Sequence, residues 1–108
     1  MDCILLRHGI AVERDEWEGT DAVRPLTERG AKRVTQVAAG LKWLGVQPTD
    51  IFSSSLVRAM ETASILHAAL NVPTAIHRVE ELLPDAPPDH LLLLFRDLSE
   101  ESCVVCLG

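Results

Sequence analysis

Ile4-Leu5-Leu6-Arg7-His8-Gly9 is the stretch from which the fold is read. A short apolar run, bounded by Asp2 and by Gly9, is predicted to be a buried strand ending in a turn. Open parallel α/β sheets bind ligands just beyond the carboxyl ends of their strands. Arg7 and His8 are therefore expected to face a crevice, and Gly9 to let the backbone turn and approach a ligand. An arginine offers a planar fork for phosphate oxygens, and a neutral imidazole beside it can attack phosphorus. Taken alone, the stretch reads more simply as a strand end with two solvated polar residues. The rest of the chain decides between these readings.

The chain has 108 residues, enough for one small domain, and 47% hydrophobic content supports a real core. A net charge of −6 argues against non-specific binding to nucleic acid or to an anionic membrane surface. No signal peptide is read at the start, and the longest apolar run, Leu91 to Phe95, is too short to span a bilayer. A cytoplasmic location is expected. Three cysteines do not make a secreted disulfide framework. Cys103 and Cys106 have redox-like spacing but lie in an apolar run, so they and Cys3 are assigned to packing.

Ala11 to Arg24, rich in Asp, Glu and Trp without a clear period, reads as a surface loop suited to cover the crevice. Trp17 is expected to anchor that loop, with a ligand-facing role as the alternative. Thr27 is a candidate N-cap, and Ala31, Val34, Val37, Leu41 and Leu44 form a helical stripe that Gly45 stops. Gly30 in this helix implies close packing against the sheet. Asp50 to Ser53 is a second strand, and Ser55 is expected to cap the helix that follows. Ala59, Ala63, Leu66 and Leu70 are its buried stripe, and Asn71 suits its end.

Arg58 then falls in the first turn of that helix, near the carboxyl end of the strand. A cation there opposes the helix dipole, so pairing with a bound anion is the more natural role, and an ion pair with Glu61 the structural alternative. Val72 to His77 is a third strand candidate, Pro88 suits the first position of a short helix carrying Leu91, Leu94, Phe95 and Leu98, and Cys103 to Leu107 is an apolar strand. Strands alternating with helices predict a three-layer α/β/α domain with a mainly parallel sheet. A strand as apolar as Cys103-Leu107 should be central and lead into another helix, so the domain reads as C-terminally truncated, with an open flank.

These segments together resemble the histidine phosphatase superfamily, the phosphoglycerate-mutase-like enzymes. Leu6-Arg7-His8-Gly9 matches the family signature, and Leu26-Thr27-Glu28-Arg29-Gly30 its loop-to-helix segment. Ser54-Ser55-Leu56-Val57-Arg58-Ala59-Met60-Glu61-Thr62-Ala63 matches Ser-Pro-Leu-x-Arg-Ala-x-Gln-Thr-Ala, with Ser55 for Pro and Glu61 for Gln. Val23-Arg24-Pro25-Leu26-Thr27 and Glu81-Leu82-Leu83-Pro84 are similar to the SixA-type phosphohistidine phosphatases.

The resemblance implies one histidine-phosphatase-like domain over residues 1–108, with His8 as nucleophile and Arg7, Gly9, Ser54 and Arg58 around the phosphoryl group. No metal or cofactor is implied. Phosphohistidine releases imidazole, a better leaving group than an alkoxide, so Glu81 is expected to be an exposed loop residue rather than a required acid. The family's second histidine follows the segment matched by Val104 to Gly108, and His67, His77 and His90 stand elsewhere. The expected substrate is a phosphorylated protein, such as a histidine-phosphotransfer domain in signalling. A small phosphate ester is the alternative, and a phosphate-binding module without turnover is the reading that the absent histidine favours.

Overall fold

The computed structural model describes residues 1–87 and 89–108, so the expectation for Pro88 lies outside the described residues. Seven elements follow in order: β1 (Asp2–Leu6), α1 (Glu28–Trp43), β2 (Asp50–Ser53), α2 (Val57–Ala69), β3 (His77–Arg78), α3 (His90–Leu94) and β4 (Cys103–Leu107). All four strands are parallel, in the order β1-β4-β2-β3. The apolar β4 is therefore internal, as expected, with Leu107 level with Leu6 on one side and Ser53 on the other. The third strand is shorter and later than Val72 to His77, because Pro73 cannot donate to a ladder.

Period-2 alternation divides the strand side chains between two cores. Ile51, Val105 and Leu107 pack with Val34 and Ala38 of α1 and with Ala63, Leu66 and Leu70 of α2. Phe52, Val104 and Cys106 point to the opposite face, where Leu82, Leu91, Leu94, Phe95 and Leu98 cover them. The sheet thus has helices on both faces. None of the helices is long and apolar enough to cross a membrane.

β1 is not the buried strand that its composition suggests. Ile4 and Leu6 meet the first core, but Leu5 is 66% exposed and Cys3 is exposed with it. The α3 segment covers β2 and β4, and no strand among the described residues pairs with the outer edge of β1. The packing role assigned to Cys3 is corrected accordingly, whereas Cys106 is buried and Cys103 half-buried.

Local signals set the helix ends. Thr27 Oγ1 accepts from the N–H of Gly30 at 2.9 Å, so the expected cap is present. Gly45 has φ +82° and Asn71 φ +52°, the left-handed conformation that closes a helix and favours these two residue types. Ser55 does not cap α2: Leu56 holds the N-cap position, with no side-chain cap, and α2 begins at Val57. The buried positions of α1 are Gly30, Val34 and Ala38, whereas Val37 and Leu44 of the expected stripe are exposed. The reason is Gly30, where a Cβ would lie 2.1 Å from the carbonyl oxygen of Ile10. Close approach of α1 to the backbone after β1, not to the sheet itself, fixes which side of the helix turns inward.

The same approach governs Gly9. Its φ is not positive, and a Cβ there would sit 2.7 Å from Val34 Cγ2. The glycine admits α1, not a ligand. Its N–H donates to Thr62 Oγ1 at 3.0 Å, and that buried hydroxyl donates in turn to the Arg58 carbonyl at 2.8 Å. One hydroxyl therefore fastens the end of β1 to the first turn of α2.

Two measurements follow from this packing. Burial pushes the Cys106 thiol up to about 12, from 9.0. Between these values the unfolded chain sheds a proton that the folded chain keeps, so this contribution to stability is fully present below pH 9 and declines above it. Iodoacetamide should modify Cys3 first and Cys106 only on unfolding, as read by peptide mass spectrometry. Thr62→Val removes the acceptor of the Gly9 N–H and should cost about 1–3 kcal/mol in urea unfolding. Thr62→Ser, which keeps the hydroxyl, should stay close to the parent.

Candidate active site

The three expected strand ends do converge. His8 donates its N–H to the Gly108 carbonyl at 3.4 Å, and Ser54 donates its own to the Leu107 carbonyl at 3.0 Å. The backbone bonding thereby runs two residues beyond β1 and one beyond β2, which holds His8 beside the start of α2.

The His8 imidazole is held at both nitrogens. Nδ1 lies 2.8 Å from the Gly9 carbonyl oxygen, an acceptor only, so this nitrogen carries the proton. Nε2 accepts from Arg58 Nε at 3.2 Å and therefore presents its lone pair to the guanidinium. The two bonds together define the Nδ1–H tautomer. Its basic nitrogen faces the donor edge of an arginine, a geometry into which an oxyanion can insert.

Arg58 is only 4% exposed, and a buried charge is strongly destabilising without partners. Glu61, the expected structural partner, instead accepts from the Leu26 N–H at 3.0 Å. The partner is Asp21. Arg58 Nη1 donates to the Asp21 carbonyl at 2.9 Å, and Nη2 to Asp21 Oδ2 at 3.2 Å. Arg24 Nε donates to the other carboxylate oxygen at 3.1 Å. The bond from Arg24 chiefly, and then that from Arg58, holds the Asp21 carboxyl below its ordinary value.

Other candidate residues are placed differently. Arg7 is exposed and makes no hydrogen bond or ion pair among the described residues; it borders a hollow of about 370 Å³ beside His8 and Thr62. Gly9 has its N–H committed to Thr62. Ser54 is fully buried, its N–H is taken by Leu107, and its hydroxyl has no partner. It presents no solvent-accessible donor. Glu81 is half-buried in the single turn Glu80–Leu82, not in the exposed loop position expected of it.

Two of the remaining histidines have local partners. His67 Nε2 lies 2.7 Å from the Thr74 carbonyl, and His77 stacks on Phe52 with centroids 4.6 Å apart. His90 is exposed at the start of α3.

The loop from Ala11 to Arg24 is tied at its base. Ala11 bridges Leu26, and Arg24 Nη1 donates to the Val12 carbonyl at 2.6 Å. Trp17 anchors the loop locally: Nε1 donates to the Thr20 carbonyl, and Gly19 packs against the indole. Asp21 and Thr62 were not among the residues singled out from the sequence. Asp21 is one of several acidic residues in an aperiodic loop, whereas Thr62 lies one turn beyond Arg58 and within the matched segment Ser54 to Ala63, two signals that could have found it.

Known proteins match this arrangement. The family model described as histidine phosphatase superfamily (branch 1) matches residues 3–82. An uncharacterized protein of Picosynechococcus is 44% identical over 69 residues, which are 64% of this chain and 41% of that protein. The mitochondrial serine/threonine-protein phosphatase Pgam5 of Drosophila ananassae is 41% identical over 63 residues, 58% of this chain and 21% of that one. The chain thus spans less than half the length of these curated relatives.

Among solved structures, the protein histidine phosphatase SixA complexed with tungstate superposes with a TM-score of 0.90 at 26% identity, over all of this chain and 69% of that one. A structure described as the putative phosphohistidine phosphatase SixA from Agrobacterium tumefaciens gives 0.83 at 25% identity, over 98% of this chain and 67% of that one. With its parallel sheet, its Arg-His-Gly strand end and the arginine of its second helix, the chain belongs to the histidine phosphatase superfamily.

Proposed function

We propose that this chain carries the nucleophile and part of the phosphate clamp of a phosphohistidine phosphatase. The observation that supports this reading most is the His8–Arg58 pair: an unprotonated ring nitrogen that accepts from a buried guanidinium Nε at 3.2 Å. In the proposed reaction an oxygen of the phosphoryl group replaces His8 as acceptor for Arg58. His8 Nε2 then bonds to phosphorus as the substrate's P–N bond breaks. The substrate's ring, already protonated at its other nitrogen, takes the P–N electron pair and departs as neutral imidazole. Water then attacks phospho-His8, its protons leave with phosphate, and His8 Nε2 recovers its lone pair.

The transition state concentrates charge on equatorial oxygens, so electrostatic clamping supplies most of the rate. Arg58 is the fixed part of the clamp. Arg7, exposed and without a side-chain partner among the described residues, is the part available to meet the bound group. Gly9 and Ser54 are left out of direct contact, since their N–H groups are already bonded.

Two of the similar proteins are described as acting on proteins, one as a protein histidine phosphatase and one as a serine/threonine-protein phosphatase. That supports a phosphorylated side chain as substrate. Among protein substrates, phosphohistidine needs least help from a general acid, and among the described residues no carboxylate bonds to His8 or otherwise takes up that position. The expected setting is cytoplasmic signalling.

The test is hydrolysis of a phosphohistidine peptide and of p-nitrophenyl phosphate by the chain and by His8→Ala. The parent should prefer the phosphohistidine peptide, and the variant should lose about 10³-fold or more. Equal turnover by the variant would remove His8 as nucleophile. A faster phosphomonoester reaction would favour small esters as substrates. Tungstate binding without any turnover would favour a phosphate-binding module.

A further inference from the structure

We infer that Asp21 is a positioning residue for the anion clamp, acting through Arg58 on the orientation of its donor edge toward His8. The inference rests on the reading of His8 and Arg58 as the phosphoryl site. A guanidinium has five N–H donors in a rigid plane, so fixing one end fixes the direction of the other. Asp21 grips the Nη1 and Nη2 end twice, through its carbonyl at 2.9 Å and its carboxylate at 3.2 Å. The Nε edge is left pointing at His8 Nε2.

Asp21 is itself held. Its second carboxylate oxygen accepts from Arg24, and Arg24 donates onward to the Val12 carbonyl at the base of the loop. The Arg24 side chain is only 11% exposed, so this is an enclosed link, whereas Arg14 at 3.7 Å is 80% exposed and adds little. A continuous line of bonds thus runs from the loop base through Arg24, Asp21 and Arg58 to the ring nitrogen of His8. The loop reaches the chemistry through one carboxylate.

Charge and orientation make opposite demands on this residue. A carboxylate beside an anion site repels the anion, so on charge alone its removal should tighten binding. If the Asp21 carboxylate positions Arg58, its removal should loosen binding, because the guanidinium keeps only the main-chain carbonyl at that end and its donor edge is less well aimed at His8. The sign of the effect is therefore diagnostic.

The experiment compares the parent chain with Asp21→Ala and Asp21→Asn in two readouts. Tungstate affinity by calorimetry should fall roughly tenfold in Asp21→Ala, the scale of one lost charge-assisted hydrogen bond, and less in Asp21→Asn. The ¹⁵N resonance of His8 Nε2, measured without anion, should move in the alanine variant as the Arg58 donor is lost, while backbone amide resonances distant from the loop stay in place. Unchanged or tighter tungstate binding, or an unmoved Nε2 resonance, would overturn the inference. If the parent itself bound no tungstate, the phosphoryl-site reading would fail, and the Nε2 resonance would still decide whether Asp21 orients Arg58. Should the alanine variant fail to fold, Asp21→Asn carries both measurements.

Discussion

A guanidinium buried to 4% exposure can exist only where acceptors surround it, and the site follows from meeting that need at Arg58. Helix α2 brings the side chain in from one direction, β1 brings an imidazole nitrogen from another, and the 11–24 loop closes the third with a carboxylate and a carbonyl. Each acceptor comes from a different part of the chain. The buried charge therefore acts as a joint between segments whose packing alone would leave their relative placement loose. The start of α2 has no side-chain cap, and the first-turn side chain of Arg58 is held there by its own acceptors.

Backbone packing around two glycines performs the same task at a shorter range. Gly9 and Gly30 face one another across the contact between the end of β1 and the first turn of α1, and neither position has room for a methyl group. Thr62 completes the arrangement by bonding Gly9 on one side and the Arg58 carbonyl on the other. His8 is thus held largely by main-chain contacts, which tolerate little variation, while Arg58 is held by side chains and a carbonyl. Rigidity is concentrated where direction matters most.

Features that act locally were legible in the sequence. Thr27 as a cap, Gly45 and Asn71 as helix stops, and the stripe on α2 all act through neighbours a few residues away, so the letters suffice. The apolar run at 103–107 was enough to place β4 inside the sheet, and the family resemblance carried His8 and Arg58. What failed depended on distant partners. The inward side of α1 was misjudged at Val37 and Leu44 because a contact with Ile10, far away in sequence, rotates the helix. Asp21 was invisible among Glu13, Asp15, Glu16 and Glu18, since nothing in an aperiodic loop marks which carboxylate turns inward. Leu5 looked buried because composition cannot tell an internal strand from one at the edge.

That last feature bears on how the site moves. β1 is hydrogen-bonded along one side only, and half of its side chains lack a covering layer. β1 is one of the two edge strands among the described residues, and His8 follows closely after it. Local opening draws on such margins first, at a free-energy cost well below that of unfolding the whole domain. Amide protection should fall from β4 outward to β1, so that His8 adjoins an edge that can give way while the buried Arg58 stays enclosed. Whatever lies along that free edge would set how long His8 remains aimed.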